Sequence, residues 1–414
     1  MTATIAILIG GLGVLLVGVG LLGTLLGVRA AIEPFGNLQT GIIMAGYYGG
    51  YLVGTLFAPQ LVRNVGHIRA FAAFAAVGAS CALAFGLLVE PWTWLLLRVL
   101  SGACVVGVYM VVESWLNEQS AGPARGRIFA IYMTSTLFAL AAGQFLLLAE
   151  DPSGLPLFAL SAILMSLGLV PIAVTRVTEP RMDVAATVSL AQLFRISPLG
   201  AAGALGAGAV NGMFWGMAPV FGQRLALDEG QIATLMSATI LGGALLQWPI
   251  GHLSDLLDRR PVLVSASFAT AGLAMVAGLI AVEGRPGLIP TAFFYGGLMF
   301  SLYGLSVAHT NDRLDQGQVL EATRGLLFIY GVGASAGPIM AGIAMWEAGP
   351  VGLPVLSAAT AALLGLFGTY RMLRAESPPR EEQTEFVPLV RTSPVVLEMH
   401  PEADRSPELD LPSP

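Results

Sequence analysis

No lysine occurs among the 414 residues, and all 20 basic side chains are arginines. A phosphate-cradling P-loop needs its lysine, so ATP hydrolysis by this chain is excluded as an energy source. Cysteine is almost as scarce. Cys81 and Cys104 both lie inside apolar segments, which excludes a disulfide framework or a thiolate metal site and leaves two packing thiols. His67, His252, His309 and His400 show no ligand spacing, so neither a metal nor another cofactor is expected. Charged residues make up 11% of the chain, far below the ~25% of an ordinary soluble domain, and no nucleic-acid partner is expected. The stretch Gly333-Ala-Ser335-Ala-Gly337 has the lettering of a nucleophile elbow. It sits in an apolar helical run just before Pro338, not in a strand-turn-helix context, so no enzymatic activity is expected.

What the chain has is hydrophobic length. Apolar stretches run at 5–28, 38–60, 69–89, 92–115, 127–149, 156–176, 199–222, 231–253, 261–282, 288–309, 325–347 and 352–371. A helix needs ~20 mostly apolar residues to cross the hydrocarbon core, so each stretch reads as one span of an all-α polytopic membrane protein. Gly46, Gly50 and Gly54 recur every four residues, as do Gly208, Gly212 and Gly216; such spacing lets helices approach closely. The first stretch exceeds the ~7–15 residues of a signal-peptide core and follows no basic segment, so it is predicted to be the first span.

With twelve spans, Arg63, Arg69, Arg125, Arg127, Arg176, Arg181, Arg195, Arg259, Arg260, Arg313, Arg324, Arg371 and Arg374 share one side, against Arg29, Arg224 and Arg285 on the other. Basic loops stay cytoplasmic. Both termini are therefore expected inside, with the chain in a bacterial inner (plasma) membrane. Four regions follow: a six-helix bundle at 1–176, a cytoplasmic linker at 177–198, a second six-helix bundle at 199–372, and a disordered acidic tail at 373–414, where proline, glutamate, aspartate and serine replace the apolar runs.

The halves repeat. Tyr109, Asn117-Glu118, Arg125-Gly126 and Tyr132 at the end of the fourth span recur as Tyr303, Asn311-Asp312, Arg324-Gly325 and Tyr330 at the end of the tenth. The segment from Pro59 to Arg69 follows span two as the segment from Gly251 to Arg260 follows span eight. An offset of six spans is the mark of parallel repeats about an axis along the membrane normal. Gly251-His-Leu-Ser-Asp255-Leu-Leu-Asp258-Arg259-Arg260 resembles the major facilitator loop signature G-x-L-x-D-x-x-G-R-[KR], with Asp258 in place of the second glycine. Arg98-Val-Leu-Ser-Gly102 resembles the superfamily's R-x-x-x-G element. Glu113-Ser114-Trp115-Leu116, Arg125-Gly126-Arg127, Tyr132-Met133 and Gly143-Gln144 are similar to the YcaD-like branch. The resemblance implies two parallel six-helix halves with spans one, four, seven and ten lining a central cavity.

A charge within the hydrocarbon region needs a partner or a wet cavity. Arg98 would draw an electron-rich group of a solute, or else be satisfied by backbone carbonyls or a neighbouring helix. Gly102, Tyr109 and Glu113 share its helix face, with Glu113 about 22 Å away along the axis. Glu113 is a candidate for proton coupling, or for a gate salt bridge to Arg125, Arg127 or Arg69. Asp255, Arg259, Arg260, Asp312, Arg324, Arg125 and Arg127 are expected to form the cytoplasmic gate, with Asp255 accepting N–H groups that begin a nearby helix. Tyr109 with Arg98 on span four, Asn211 and Trp215, four apart on span seven, and Tyr295 and His309 on span ten make up the solute-binding candidates. Tyr47, Tyr48 and Tyr51 read as interhelical or interfacial. The expected activity is alternating-access transport of a small organic solute by a monomer in the lipid bilayer, coupled to protons. The alternatives are a non-transporting sensor or assembly partner with the same shape, or a lipid-handling facilitator.

Overall fold

The structure is a computed structural model that describes residues 3–119, 125–175, 190–284, 286–314, 318–374, 386 and 393. Its helices are α1 (Ala3–Ile32), α2 (Asn37–Val65), α3 (His67–Leu87), α4 (Pro91–Glu118), α5 (Arg125–Gln144), α6 (Pro156–Ala173), α7 (Leu190–Ile196), α8 (Pro198–Arg224), α9 (Glu229–Leu256), α10 (Arg259–Glu283), α11 (Leu288–Asn311), α12 (Val319–Ala348) and α13 (Gly352–Arg374). No strand occurs among the described residues. Nine of these helices qualify singly as membrane spans by length and apolarity, α5 with its extension to Ala149; α12 and α13 qualify as one run, and α8 does so together with α7, from which it bends by 116°. Separating α12 from α13 and setting α7 aside leaves twelve rods.

Most rods contain their apolar window and several run one or two turns beyond it, whereas α3 ends at Leu87 and α6 at Ala173, just short of windows 69–89 and 156–176. α1, at 30 residues, is about 45 Å long at 1.5 Å per residue, so its ends project past the ~30 Å hydrocarbon core. Local chemistry sets the ends. Glu90 caps α4 by accepting from the Thr93 N–H at 2.7 Å and its hydroxyl at 2.9 Å, and Pro91 fills the first helical position. Asp228 and Gln231 form a capping box on α9. Asp258 caps α10 through the Arg260 N–H at 3.0 Å, which accounts for its standing where the family's loop signature has glycine. The fifth stretch ends as a 3₁₀ segment, Phe145–Ala149, beyond α5.

The parallel halves are visible in which helices touch. In the first half α1 packs on α5 and α6, α2 on α4, and α3 on α4 and α6. Six spans later α8 packs on α12 and α13, α9 on α11, and α10 on α11 and α13. Glycines set the closest crossings. A Cβ on Gly50 would collide with the Val99 carbonyl oxygen, and one on Gly102 with that of Tyr47; the mates in the second half are Gly242 against Phe293 and Gly296 against Thr239. The halves meet through α2 with α12, α5 with α9, and α1 with α8.

The two ends of the bundle differ. Below, the terminal face is the one where α1 begins and α13 ends, and the far face is opposite. Contacts between halves toward the far face include the Asn37 Nδ2 bond to Met345 O at 3.0 Å, the Ser237 Oγ bond to Ala141 O at 2.8 Å, and Gly27 against Pro219. Large apolar side chains such as Leu56, Leu96, Leu279 and Leu363 face outward, whereas Arg98, Glu113, Gln144 and Asn211 are buried. Of the expected linker and tail, 177–189, 375–385, 387–392 and 394–414 lie outside the described residues.

Candidate functional site

The Gly50 and Gly102 crossing brings α2 against α4 and so sets Tyr47 over Arg98. The Arg98 guanidinium carbon lies 4.7 Å from the Tyr47 ring centroid, a cation–π contact, and Arg98 is 6% exposed. Tyr47 in turn meets the Tyr48 ring edge-on at 5.5 Å. These side chains line a cavity with Gly20, Gly23 and Thr24 of α1, Leu140 of α5 and Trp215 of α8; its free space is about 390 Å³ including its mouth. Trp215 therefore brings the second half to a site otherwise built by the first. Arg98 lies seven residues into α4, about 10 Å from the far end of that helix.

Thr24 Oγ1 donates to Gln144 Oε1, while Gln144 Nε2 donates to Leu140 O at 2.8 Å and to Gly20 O at 3.2 Å. Gln144 thereby ties α1 to α5 at the wall of the cavity. Trp215 is held by Phe214 and Phe300, with centroids 5.2 and 6.0 Å away. One turn along α8, Asn211 Nδ2 donates to Ala207 O at 2.9 Å, and its Oδ1 is buried with no hydrogen-bond partner among the described residues.

A second polar centre lies toward the terminal face. Glu113, fully buried, accepts from Tyr132 Oη at 2.6 Å. It also accepts from Ser393, whose N–H reaches Oε1 at 3.4 Å and whose hydroxyl donates to Oε2. Tyr109 is buried one turn away on α4. Next to Glu113, Ser114 pairs with His67 Nε2 at 3.2 Å. Arg125, an expected partner of Glu113, donates to Asn117 Oδ1 at 2.5 Å, and Arg127 is exposed.

The second half has a charged cluster at the same face. Arg259, 1% exposed, pairs with Asp255 at 3.1 Å and Asp312 at 3.2 Å, joining α9, α10 and the end of α11. Arg260 pairs with Asp258 at 2.9 Å. Arg313 donates to the His309 carbonyl at 2.9 Å and lies against its ring; burial and the neighbouring Arg260 push the Arg313 guanidinium below its ordinary range. Asn311 accepts from Thr323 at 3.4 Å, beside Arg324 on α12.

The sequence-predicted solute residues thus fall into separate places. Arg98 and Trp215 share a cavity. Tyr109 belongs with Glu113, and His309 with the charged cluster at the terminal face. Tyr295 bonds to Ser357 Oγ at 2.6 Å and lines a different, almost wholly apolar cavity within the second half, with Met213, Phe214 and Leu353, whose free space is about 560 Å³ including its mouth. Sequence reasoning did not single out Thr24 or Ser393, named Gln144 and Tyr132 only as motif residues, and set Tyr47 and Tyr48 aside as interhelical or interfacial. The four-residue glycine spacing on α2 was the available signal for Tyr47, since a glycine face pressed on α4 carries its flanking tyrosines to the polar face of that helix.

Comparison with known proteins agrees with this architecture. A profile described as Major Facilitator Superfamily matches residues 200–400. The uncharacterised MFS-type transporter YcaD of Escherichia fergusonii is 27% identical over 339 residues, 81% of this chain and 87% of that protein. YcaD of Salmonella enteritidis PT4 is 27% identical over 348 residues, 83% and 89% of the two chains. Among solved structures, a point mutant of the nucleoside transporter NupG superposes with a TM-score of 0.71 at 13% identity, covering 88% of this chain and all of that one. A bacterial homologue of the human lysosomal transporter Spinster, inward-facing and unoccupied, gives 0.68 at 13% identity over 92% of this chain and all of its own. The twelve-rod repeat and the loop signature are those of the major facilitator fold, and by these comparisons the chain is similar to transporters of that superfamily, the YcaD-like members among them.

Proposed function

We propose that the chain moves a small, polar organic solute across the inner membrane by alternating access, with Arg98 as the charged anchor of the solute site. The observation that carries this reading is a buried guanidinium, stacked on Tyr47, in a cavity to which both halves contribute. A desolvated arginine selects a carboxylate, phosphate or electron-rich ring edge, and the Tyr47 and Trp215 rings supply flat apolar contact. The arginine bias of the loops supports a cytoplasmic terminal face. Far-face contacts between the halves then correspond to a carrier closed toward the outside. Glu113, buried and about 22 Å from Arg98 along α4, is the candidate carrier of a coupling proton.

The test is counterflow in proteoliposomes, after a thermal-shift screen over organic acids, nucleosides, sugars and amphiphiles identifies a binder. Saturable exchange that Arg98→Ala abolishes while the protein remains monodisperse supports the reading. Undiminished exchange in Arg98→Ala overturns the assignment of the anchor.

A further inference from the structure

The two halves pack alike but are not filled alike. Gly102 and Gly296 are mates at the glycine crossings, so the residues four and eight positions before them are mates too, Arg98 with Ala292 and Trp94 with Leu288. The carbonyls these two glycines press on belong to Tyr47 and Thr239, a third pair. At all three pairs the first half carries the larger side chain. Trp94 is fully buried, donates to Phe85 O at 3.1 Å, and meets Phe35 and Phe85 edge-on with centroids 5.4 and 5.6 Å away. In the second half Leu288, Ala292 and Thr239 leave that volume open, and all three line the apolar cavity. Tyr295, in the place of Ser101, returns part of it.

The cavity runs along the helices. Its lining extends from Phe221 to Met213 on α8, about 12 Å at 1.5 Å per residue. Leu288 opens α11 and Leu353 is second in α13, so its shallow end lies at the far face. The free space of about 560 Å³, mouth included, falls in the ~300–1,000 Å³ range of ligand pockets. Its hydroxyls are each engaged, Thr239 with Leu235 O at 2.8 Å and Tyr295 with Ser357 at 2.6 Å. Water needs ~2–4 polar partners to settle in such a place, and a polar solute would be left unpaired. Hydrocarbon suits it, because an unfilled void forfeits dispersion contacts along its whole wall. The lining also adjoins side chains turned outward to lipid. Ala277 stands beside exposed Val276, with Leu279 nearby, Tyr295 beside exposed Phe294, and Pro354 beside exposed Val355.

We propose that this cavity is a lipid site: one acyl chain of a phospholipid from the far-face leaflet enters between the starts of α11 and α13 and lies along α8, in the place that Trp94 fills in the first half. The elongated form and the direction of the cavity match a chain lying parallel to the helices, as chains in a bilayer do. The site is separate from the Arg98 cavity, from which the Tyr295 cavity shares no lining residue, and it does not depend on the solute that Arg98 binds. The bound chain completes the packing of the second half as aromatic side chains complete that of the first.

Photolabelling tests this without transport. The full chain is reconstituted in vesicles of phosphatidylethanolamine and phosphatidylglycerol, doped with a phosphatidylglycerol whose acyl chain carries a diazirine, and adducts are mapped by peptide mass spectrometry. Adducts are expected on inward residues such as Ala274, Leu288 and Ala292, besides those that any surrounding lipid leaves on Leu279 and Phe294. Ala292→Phe and Leu288→Trp each fill the cavity, the latter with the residue of the first half. In whichever of them stays monodisperse, inward adducts are expected to fall by about tenfold or more while those on Leu279 and Phe294 persist. Adducts confined to Leu279 and Phe294, or inward adducts that a folded filled variant does not diminish, overturn the lipid site. Arg98→Ala is expected to leave the inward adducts unchanged, and their loss there would overturn the separateness of the two cavities. A failure of solute exchange in every preparation would count against the transport reading alone, since the adducts are scored without it.

Discussion

At the scale of single residues, Arg98 and Glu113 were legible in the sequence because a charge in an apolar run announces itself. What holds each of them was not. Tyr47 reaches Arg98 from another helix, and Tyr132 reaches Glu113 from 19 positions away, so no local spacing encodes either contact. In the proposed solute site the Tyr47 ring would act through its face, which already lies under the Arg98 guanidinium. Tyr47→Phe is therefore expected to leave affinity for the bound solute nearly intact, whereas Tyr47→Leu, which loses a contact of about 0.5–2 kcal/mol, weakens it by up to about thirtyfold, as isothermal titration would show. At Glu113 the informative comparison is between two transport modes. Glu113→Gln keeps a similar shape but no longer carries a proton, so gradient-driven accumulation is expected to fall more than solute exchange does. Equal loss of both would assign Glu113 to a gate instead.

At the scale of elements, the spans could be read from the sequence because lipid demands ~20 apolar residues whatever the fold. Their true ends could not, since helices continue into the interface wherever a cap allows. Glu90 shows how one end is fixed. The Thr93 N–H and hydroxyl hold its carboxylate below the usual range, so its cap is fully present above the ordinary glutamate pKa and is lost as pH falls through the depressed folded value. A melting-temperature titration should show an acid-side decline that is smaller in Glu90→Gln. The glycine crossings test the second rule of packing in lipid, close approach of backbones. Gly102→Val pushes a side chain into the Tyr47 carbonyl, an obstacle of rigid backbone, and is expected to cost at least the ~1–3 kcal/mol of ordinary overpacking. Gly49→Ala on α2 meets nothing within 4 Å and serves as the control. Fluorescence-detected size exclusion during heating separates the two: early loss of the monodisperse peak for Gly102→Val, none for Gly49→Ala.

For the molecule as a whole, the repeat written into Asn117-Arg125 and Asn311-Arg324 proved to be a repeat of packing as well, since each helix pair of the first half recurs six spans on. The contacts between halves obey the same relation, α2 with α12 matching α9 with α5. Two like bundles meeting through two like seams can rock about the axis between them, and opening the far face means parting both seams there. The α5–α9 seam carries a hydrogen bond from Ser237 Oγ to Ala141 O at 2.8 Å, worth about 1 kcal/mol net, which a carrier can break on every cycle. A covalent tie at that point cannot be broken. Ala141→Cys with Ser237→Cys, joined by a short bifunctional thiol reagent, is therefore expected to stop exchange while leaving each half folded, and reduction of a cleavable linker should restore it. Undiminished exchange with the tie in place would mean that solute passes without the far seam opening, and the two bundles would then have to conduct by some motion other than rocking.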